Sequence, residues 1–291
     1  MPEPSPLQPA LTGSFSSPAG GNPTGAMVEA AFAHHGVPAR YVNCDVPPPR
    51  LPDAVRGAVA MGWTGFNLSL PNKQAVIPLL DGLAPSAALI GAVNCVQVTD
   101  RGLIGHNTDG EGFVQALRER RDPRGLHAVV FGAGGAARAI AVELALAGVA
   151  RLTIVNRRVE RAEEIVRIVQ DSSATSAAAV AWAGSFALPA DTDVVVNGTS
   201  IGLAPDVDAR VDVVADTILP GMLVCDVIPN PPDTVLLREA RTHGAETLDG
   251  RSMLVNQAAI NLGLWMGLDP DRAVMRAALD TAIGDGRHPT S

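Results

Sequence analysis

One residue stands alone by type: of the 22 basic side chains, Lys73 is the single lysine and the others are arginine. Arginine keeps its proton near neutral pH, whereas an amine can be tuned by burial into a general acid or base. A chain that uses arginine wherever it needs only charge therefore has one cation suited to proton transfer. Codon bias would leave the same trace, so the neighbourhood of Lys73 must decide. It closes the segment Asn67-Leu68-Ser69-Leu70-Pro71-Asn72-Lys73, and two further polar segments follow, Gly91-Ala92-Val93-Asn94 and Gly105-His106-Asn107-Thr108-Asp109-Gly110. Oxidising an alcohol to a ketone needs a base for the proton and an acceptor for the hydride, and the reverse needs an acid. Lys73 or Asp109 can hold that proton; a close pair titrates jointly, and both assignments stay open. Asp109 also reads as a helix N-cap before Glu111, and Asn94 and Asn107 also read as buried amides that satisfy backbone groups.

The hydride acceptor has its own signature. His127 to Phe131 is a short β-rich run, Gly132-Ala133-Gly134-Gly135-Ala136-Ala137 is a glycine turn, a helix follows to Gly148, and Leu152 to Val155 is a second strand. A G-x-G-x-x-A turn between strand and helix is a dinucleotide-binding βαβ unit: Gly132 permits the tight turn, Gly134 lets the backbone approach a pyrophosphate, and Ala137 keeps helix and sheet close. The second strand ends in Asn156-Arg157-Arg158, with Arg161 a turn further on, where NAD-binding units carry a carboxylate. Guanidiniums bind a 2′-phosphate that Asp or Glu would repel, so the expected cofactor is NADP; the alternative is that these arginines only solvate the next helix.

The elements that must position these groups alternate. A helix from Met27 to His35, introduced by Asn22-Pro23-Thr24 and ended by Gly36, is followed by an extended segment from Ala39 to Val46. A helix from Asp53 to Met61, a strand from Thr64 to Leu70, a helix from Gln74 to Leu80, a strand from Gly91 to Val98 and a strand after Gly102 complete the first half. A helix from Glu111 to Arg120 leads across Asp122-Pro123-Arg124-Gly125 into the βαβ unit. Strands at Val180 to Trp182, Asp193 to Asn197 and Leu223 to Val227 imply a parallel, doubly wound sheet, and the chain ends in helices at Met253 to Leu268 and Ala273 to Ile283. Polar segments at strand ends can converge on one crevice facing the cofactor.

Composition excludes other classes. At 291 residues, about two domains are expected. Cys44, Cys95 and Cys225 form no C-x-x-C pair and the six histidines no ligand spacing, so neither a disulfide framework nor a metal is expected. A net charge of −8 without basic runs argues against nucleic acid and anionic membranes. No apolar run approaches a membrane span, and the Pro/Ser/Gly-rich first twenty residues do not read as a secretory signal, which points to a cytoplasmic protein.

Taken together these segments resemble the shikimate dehydrogenase family, including its quinate dehydrogenase relatives, over nearly the whole chain. The resemblance rests on the family's N-x-T-x-P-x-K, matched at 67–73 with Ser69 in the threonine's place, G-A-V-N at 91–94, N-T-D-G at 107–110, G-A-G-G-A at 132–136, Asn156-Arg157, Asn197-Gly198-Thr199-Ser200, which is similar to N-A-T-S, and Met253-Leu254-Val255-Asn256-Gln257-Ala258-Ala259. It implies an NADP-dependent enzyme that interconverts 3-dehydroshikimate and shikimate, or quinate and its ketone, with Lys73 and Asp109 catalytic. Substrate would be bound by Asn22, Thr24, Ser69, Asn94, Asn107 and Gln257. NADP would be held by Gly132, Ala133, Gly134, Gly135, Ala136, Asn156, Arg157, Arg158, Arg161, Thr199, Ser200, Ser252 and Met253. The implied fold is two-domain α/β: a substrate domain with a mixed sheet (1–108), a Rossmann-type NADP domain (109–249) and C-terminal helices returning to the first domain (250–291). A monomer or a homodimer would serve.

The chain departs from the family pattern at three places. The family's S-x-S-P before the first helix is Asn22-Pro23-Thr24-Gly25 here; Ser14-Phe15-Ser16 lies too far upstream unless the loop folds back. The family's tyrosine is Pro229, and a glycine of G-x-G-M is Ser252. One lost hydrogen bond to a charged group costs about 1.5–3 kcal/mol, enough to shift substrate preference about tenfold. The reaction class is thus more firmly expected than the substrate, and a hydroxylated ring without the usual carboxylate is open. The competing classes are a nucleotide-binding regulator on the same fold, and an isomerase or dehydratase that uses the cofactor transiently.

Overall fold

The computed structural model describes residues 7–284. Residues 1–6 and 285–291, which include the outer ends of the expected terminal domains, lie outside them. The described residues divide into two compact units, one of 7–108 with 255–282, the other of 109–254 with 283–284.

In the first unit the elements run β1 (Ala10–Ser16), α1 (Thr24–His35), β2 (Ala39–Asp45), α2 (Leu51–Ala60), β3 (Gly65–Leu68), α3 (Asn72–Ala75), β4 (Gly82–Leu83), α4 (Pro85–Ile90), β5 (Cys95–Thr99) and β6 (Gly102–His106). The sheet order is β2-β1-β3-β5-β6-β4. β1 pairs in parallel with β2 and β3, whereas β5 is antiparallel to β3 and to β6, so the sheet is mixed. One face is apolar: Phe15, Phe66, Leu68 and Val96 pack with Leu51, Val55 and Ala58 of α2 and with Trp63. Each such fully buried large side chain contributes about 1.5–3 kcal/mol. Alternate residues of the same strands, Thr12, Ser14, Ser16, Tyr41 and Asn67, turn to the opposite face and are also buried.

That polar face receives the C-terminal helix α9 (Gly250–Met266) beyond residue 255. A Cβ on Gly65 would come within 2.0 Å of the Trp265 ring, so glycine is required there; the indole Nε1 donates to Val96 O (3.0 Å), and Gln97 Nε2 donates to Leu264 O (2.5 Å). The helix α10 (Arg272–Ile283) follows. Named contacts thus return α9 to the first unit, and residues up to 282 of α10 belong to the same unit.

The structure departs from the sequence reading at several elements. β1 falls in a stretch that reads only as Pro/Ser/Gly-rich, because Thr12, Gly13, Ser14 and Ser16 lack the β-branched apolar signature of a strand. β4 and α4 leave no clear signal in the sequence either. The helix expected from Gln74 starts at Asn72, so Lys73 sits inside a short helix.

The second unit runs α5 (Thr108–Arg118, from its second residue), β7 (His127–Phe131), α6 (Gly135–Leu146), β8 (Arg151–Asn156), α7 (Val159–Ser172), β9 (Ser176–Ala181), β10 (Val194–Asn197), β11 (Leu223–Asp226), α8 (Val235–Thr242) and β12 (Glu246–Leu248). All pairings are parallel in the order β12-β11-β10-β7-β8-β9, the doubly wound arrangement with its switch point between β7 and β10. Both faces are covered by helices and loops, which is why β7, β10 and β11 are buried throughout.

At the C-terminal ends of β10 and β11, Asn197 and Asp226 are register partners. Asp226 is 2% exposed; Asn197 Nδ2 (3.1 Å), Thr234 Oγ1 (2.8 Å) and the Ile228 N–H (3.0 Å) donate to its carboxylate. Burial outweighs these donors and pushes its pKa up to about 6 from 3.8. The raised folded value means the native state takes up a proton before the unfolded chain does as pH falls. Its stabilising effect therefore grows as pH drops through about 6, is complete below about 4, and is absent at neutral pH. Denaturant titrations of wild type and Asp226→Asn at pH 7 and pH 5 should show the wild type gaining about 1 kcal/mol relative to the variant on acidification. An unchanged difference would contradict the raised pKa.

Candidate active site

The candidate substrate end is built from the polar face of the first unit. Parallel register sets Asn43 and Asn67 on either side of Ser14. Ser14 Oγ donates to Asn43 Oδ1 (2.8 Å) and accepts from Asn22 Nδ2 (3.1 Å), and Asn43 Nδ2 donates to Asn22 O (3.0 Å). The loop after β1 thus folds back, so that the Ser14 strand end and the Asn22–Thr24 segment meet. Asn22 Oδ1 also accepts the Thr24 N–H (3.0 Å), which orients the start of α1. The residue before α1 is Pro23, with no side-chain cap; the expected capping role is carried by Asn22 instead. Tyr41 Oη donates to Asn67 Oδ1 (2.9 Å), and burial raises the phenol's pKa, so it stays a donor. Gly25, where the family has proline, faces Tyr41 Cδ1 and Asn43 Nδ2 at 3.4 and 3.6 Å from an added Cβ.

Lys73 is pinned to this frame through backbone and amide contacts. Its carbonyl accepts the Val93 N–H (2.8 Å), which ties α3 to the G-A-V-N segment, and the Ser69 N–H donates to Phe15 O (3.3 Å). Asn72 is wholly buried and donates to Phe15 O (3.3 Å) and Val46 O (2.8 Å). Asn94 and Asn107 are committed within the unit. Asn94 Oδ1 accepts the Thr108 N–H (2.7 Å) at the start of α5, its Nδ2 donates to Gln257 Oε1 (3.3 Å), and Asn107 Nδ2 donates to Ala92 O (3.1 Å). Thr108 Oγ1 meets Asn261 Oδ1 at 2.8 Å. Asp109 lies in the first turn of α5, where its charge suits the helix N-terminus.

The second unit fits a dinucleotide. Gly132 has φ +103°, and a Cβ there would strike Thr199 Cγ2 at 2.9 Å. In front of α6, a Cβ on Gly134 or Gly135 would meet nothing within 4 Å, and the helix has no side-chain cap. Open space before uncapped N–H groups is what a pyrophosphate needs. Gly198 allows the close approach of Ala137, whose Cβ would lie 2.9 Å from an added one. Asn156 Nδ2 donates to Arg158 O (2.7 Å) and shapes the turn after β8. Arg157, Arg158 and Arg161 are exposed, cluster at the N-terminus of α7 and take no ion pair among the described residues. Three cations at the positive end of a helix dipole are unfavourable by themselves and favourable with an anion.

The remaining expected cofactor residues have local partners. Thr199 Oγ1 donates to Asn197 Oδ1 (2.6 Å), Ser200 is exposed, Ser252 Oγ donates to Asp249 Oδ1 (3.2 Å), and Met253 packs on the core. Tyr41 and Asn43 join this polar wall without a mark in the sequence, whereas Ser14 belongs to the Ser14-Phe15-Ser16 segment that the folded-back loop brings to Asn22. Ser14 and Asn43 are 29 positions apart, and only strand register joins them.

A mixed-sheet unit with a lone lysine, joined to a doubly wound unit whose phosphate turn and arginines suit NADP, defines an oxidoreductase acting on a CH–OH group. Comparison with known proteins agrees. Residues 17–96 match the shikimate dehydrogenase substrate binding domain, 115–204 the shikimate/quinate 5-dehydrogenase model, and 250–279 the shikimate 5′-dehydrogenase C-terminal domain. The NADP(+)-dependent shikimate dehydrogenase of Desulforamulus reducens is 40% identical over 280 residues, covering 95% of this chain and 96% of the relative. The ligand-free structure of 5-ketofructose reductase from Gluconobacter sp. strain CHM43 is 52% identical with a TM-score of 0.92, covering 94% and 99% of the two chains. Shikimate 5-dehydrogenase from Thermus thermophilus, in complex with NADP(H) and shikimate, is 31% identical with a TM-score of 0.81, covering 94% and 99%. The chain belongs to the shikimate dehydrogenase family, and its cofactor is NADP.

The open space at Gly134 generates a test. Its backbone, φ −86° and ψ −173°, is extended and accepts any residue. Gly134→Val should leave the melting temperature nearly unchanged while weakening NADP by about tenfold or more in calorimetric titration. Undiminished binding would remove the pyrophosphate from this turn.

Proposed function

We propose that the chain reduces, with NADPH, the ketone of a neutral polyhydroxylated substrate of the 5-ketofructose kind, and catalyses the reverse oxidation. The observation that carries this reading is the Asn22–Ser14–Asn43 network, which stands where the family uses two hydroxyls against a carboxylate. Two free hydroxyls present two protons to an anion. Here the Ser14 proton is committed to Asn43 Oδ1, and one of the two Asn22 Nδ2 protons to Ser14. The wall keeps donors and acceptors in mixture, which suits sugar hydroxyls that both give and take a proton. The relative at 52% identity acts, by its name, on 5-ketofructose, a sugar without a carboxylate.

A second reading, 3-dehydroshikimate as substrate, is favoured by the Asn67–Lys73, G-A-V-N and N-T-D-G segments and by 40% identity to a shikimate dehydrogenase. Both readings share the chemistry. When bound, NADPH supplies the hydride to the carbonyl carbon. Lys73, as an ammonium, donates a proton to the carbonyl oxygen as it becomes an alcohol, and takes one back as a neutral amine in the oxidation. Asp109 is read as its carboxylate partner, with Ser69, Asn94 and Gln257 orienting hydroxyls.

The substrate is decided by following reduced nicotinamide with 5-ketofructose, 3-dehydroshikimate and 3-dehydroquinate. The neutral sugar should exceed the two acids by about tenfold or more in kcat/KM; a preference for an acid would favour the second reading. With whichever substrate is best, Lys73→Arg should lower kcat by about 10²–10⁴-fold with NADP affinity retained, since charge remains and the titratable amine is lost. Near-normal turnover would sink the proton role.

A further inference from the structure

Unit two holds a cleft of about 220 Å³ lined by Arg157, Trp182, Gly184, Ile201, Arg210 and Asp212. It is smaller than the roughly 300–1,000 Å³ of a whole-ligand pocket and suits one end of a dinucleotide. We propose that Trp182 and Arg210 form a second wall of the adenosine 2′-phosphate site, opposite the β8–α7 arginines, with Trp182 stacking on the adenine and Arg210 acting as a further phosphate-binding cation. The inference rests on NADP as cofactor and adds two residues that no sequence motif marks.

Topology brings the two residues to the place. Trp182 follows β9 directly, and its N–H donates to Asn156 O (3.0 Å), so it sits beside the Asn156-Arg157 turn. The indole is held at both ends: its ring lies 5.1 Å from that of Phe131, and Nε1 donates to Asp212 O (3.1 Å). It is nonetheless only half-buried, in a chain with 3% aromatic residues. A restrained, partly open indole is a stacking platform that loses little freedom when a base settles on it.

Arg210 reaches the cleft from a segment far along the chain. Phe186 and Val213 bridge the two loops that carry Trp182 and Arg210, and the Phe186 N–H donates to Asp212 O (2.9 Å). The guanidinium is oriented by Glu239, which accepts from Nε (2.6 Å), and by Val213 O, which accepts from Nη2 (3.2 Å). A pre-oriented planar fork binds phosphate with less loss of freedom than a mobile one. Asp212 supplies the one carboxylate of the lining. It opposes a purely phosphate ligand and accepts N–H donors, as adenine's amino group offers; a mixed lining of two cations, one carboxylate and one indole matches the mixed chemistry of adenosine 2′-phosphate.

The test uses binding alone, with 2′,5′-ADP and 5′-AMP titrated calorimetrically into the full chain, and NADP titrated into wild type as the control on the cofactor itself. Arg210→Ala should weaken 2′,5′-ADP by about tenfold and change 5′-AMP by no more than about twofold, because only the first carries the 2′-phosphate. Trp182→Ala should weaken both by about tenfold, and Trp182→Phe, which keeps a ring, should recover most of the loss. Equal losses of both nucleotides in Arg210→Ala would overturn the phosphate role. Unchanged binding in Trp182→Ala, or a loss that Trp182→Phe does not recover, would overturn the stacking role. Wild-type chain that fails to bind NADP would instead refute the cofactor reading on which the proposal rests.

Discussion

In β1 the side chains of Leu11 and Phe15 turn into an apolar core while Thr12, Ser14 and Ser16 turn to the other face, and a slip of one residue against β2 or β3 would exchange the two sets. Gly13 locks the register: a Cβ there would lie 2.2 Å from Val42 O and 2.7 Å from the Trp63 ring. Much of the candidate substrate end refers back to this strand. Asn22 and Asn43 bond to Ser14, Asn72 and Ser69 bond to Phe15 O, and through them Lys73 is fixed beside the segment that carries Asn94. Burying apolar surface on one face therefore positions hydroxyls and amides on the other.

The second unit solves a different problem, the placing of positive charge. Arginines such as Arg124, Arg138 and Arg151 pair with carboxylates at the surface, whereas Arg157, Arg158 and Arg161 gather where the dipole of α7 disfavours them. Such an arrangement weakens the empty protein slightly and strengthens it when an anion binds, so cofactor affinity and stability are linked through one turn.

Legibility follows burial. The doubly wound unit is readable because its central strands are buried on both faces and appear as apolar runs, and because its phosphate turn needs glycine for steric reasons. β1 is not readable, since its site-facing half is polar by necessity and Gly13 removes another side chain from the pattern. Helix α3 is four residues long, too short for periodicity to register, although it carries Lys73. The Ser14–Asn43 and Trp182–Arg210 relationships depend on strand register and on loops bridged at a distance, and neither leaves a local trace in the sequence.

The departures from the family pattern divide along a physical line. Lys73 and Asp109, proposed above for the proton of the reacting carbonyl, and Asn94, proposed to orient a hydroxyl, keep the family's residue types; proton transfer in particular tolerates few substitutes. On the proposed reading Asn22, Thr24 and Gly25 meet the remainder of a substrate; one family hydroxyl is exchanged there for the Asn22 amide while Thr24 keeps the other, which would change the complementary ligand without altering the reaction. With Ser14 and Asn43 recruited from two adjacent strands, the wall closes on itself through neutral hydrogen bonds. A carboxylate placed against it would give up strong solvation for donors already shared among protein groups, whereas a sugar hydroxyl exchanges bonds of similar strength. On the proposed reading, selectivity for a neutral substrate would arise from what the wall withholds from an anion as much as from what it offers a sugar.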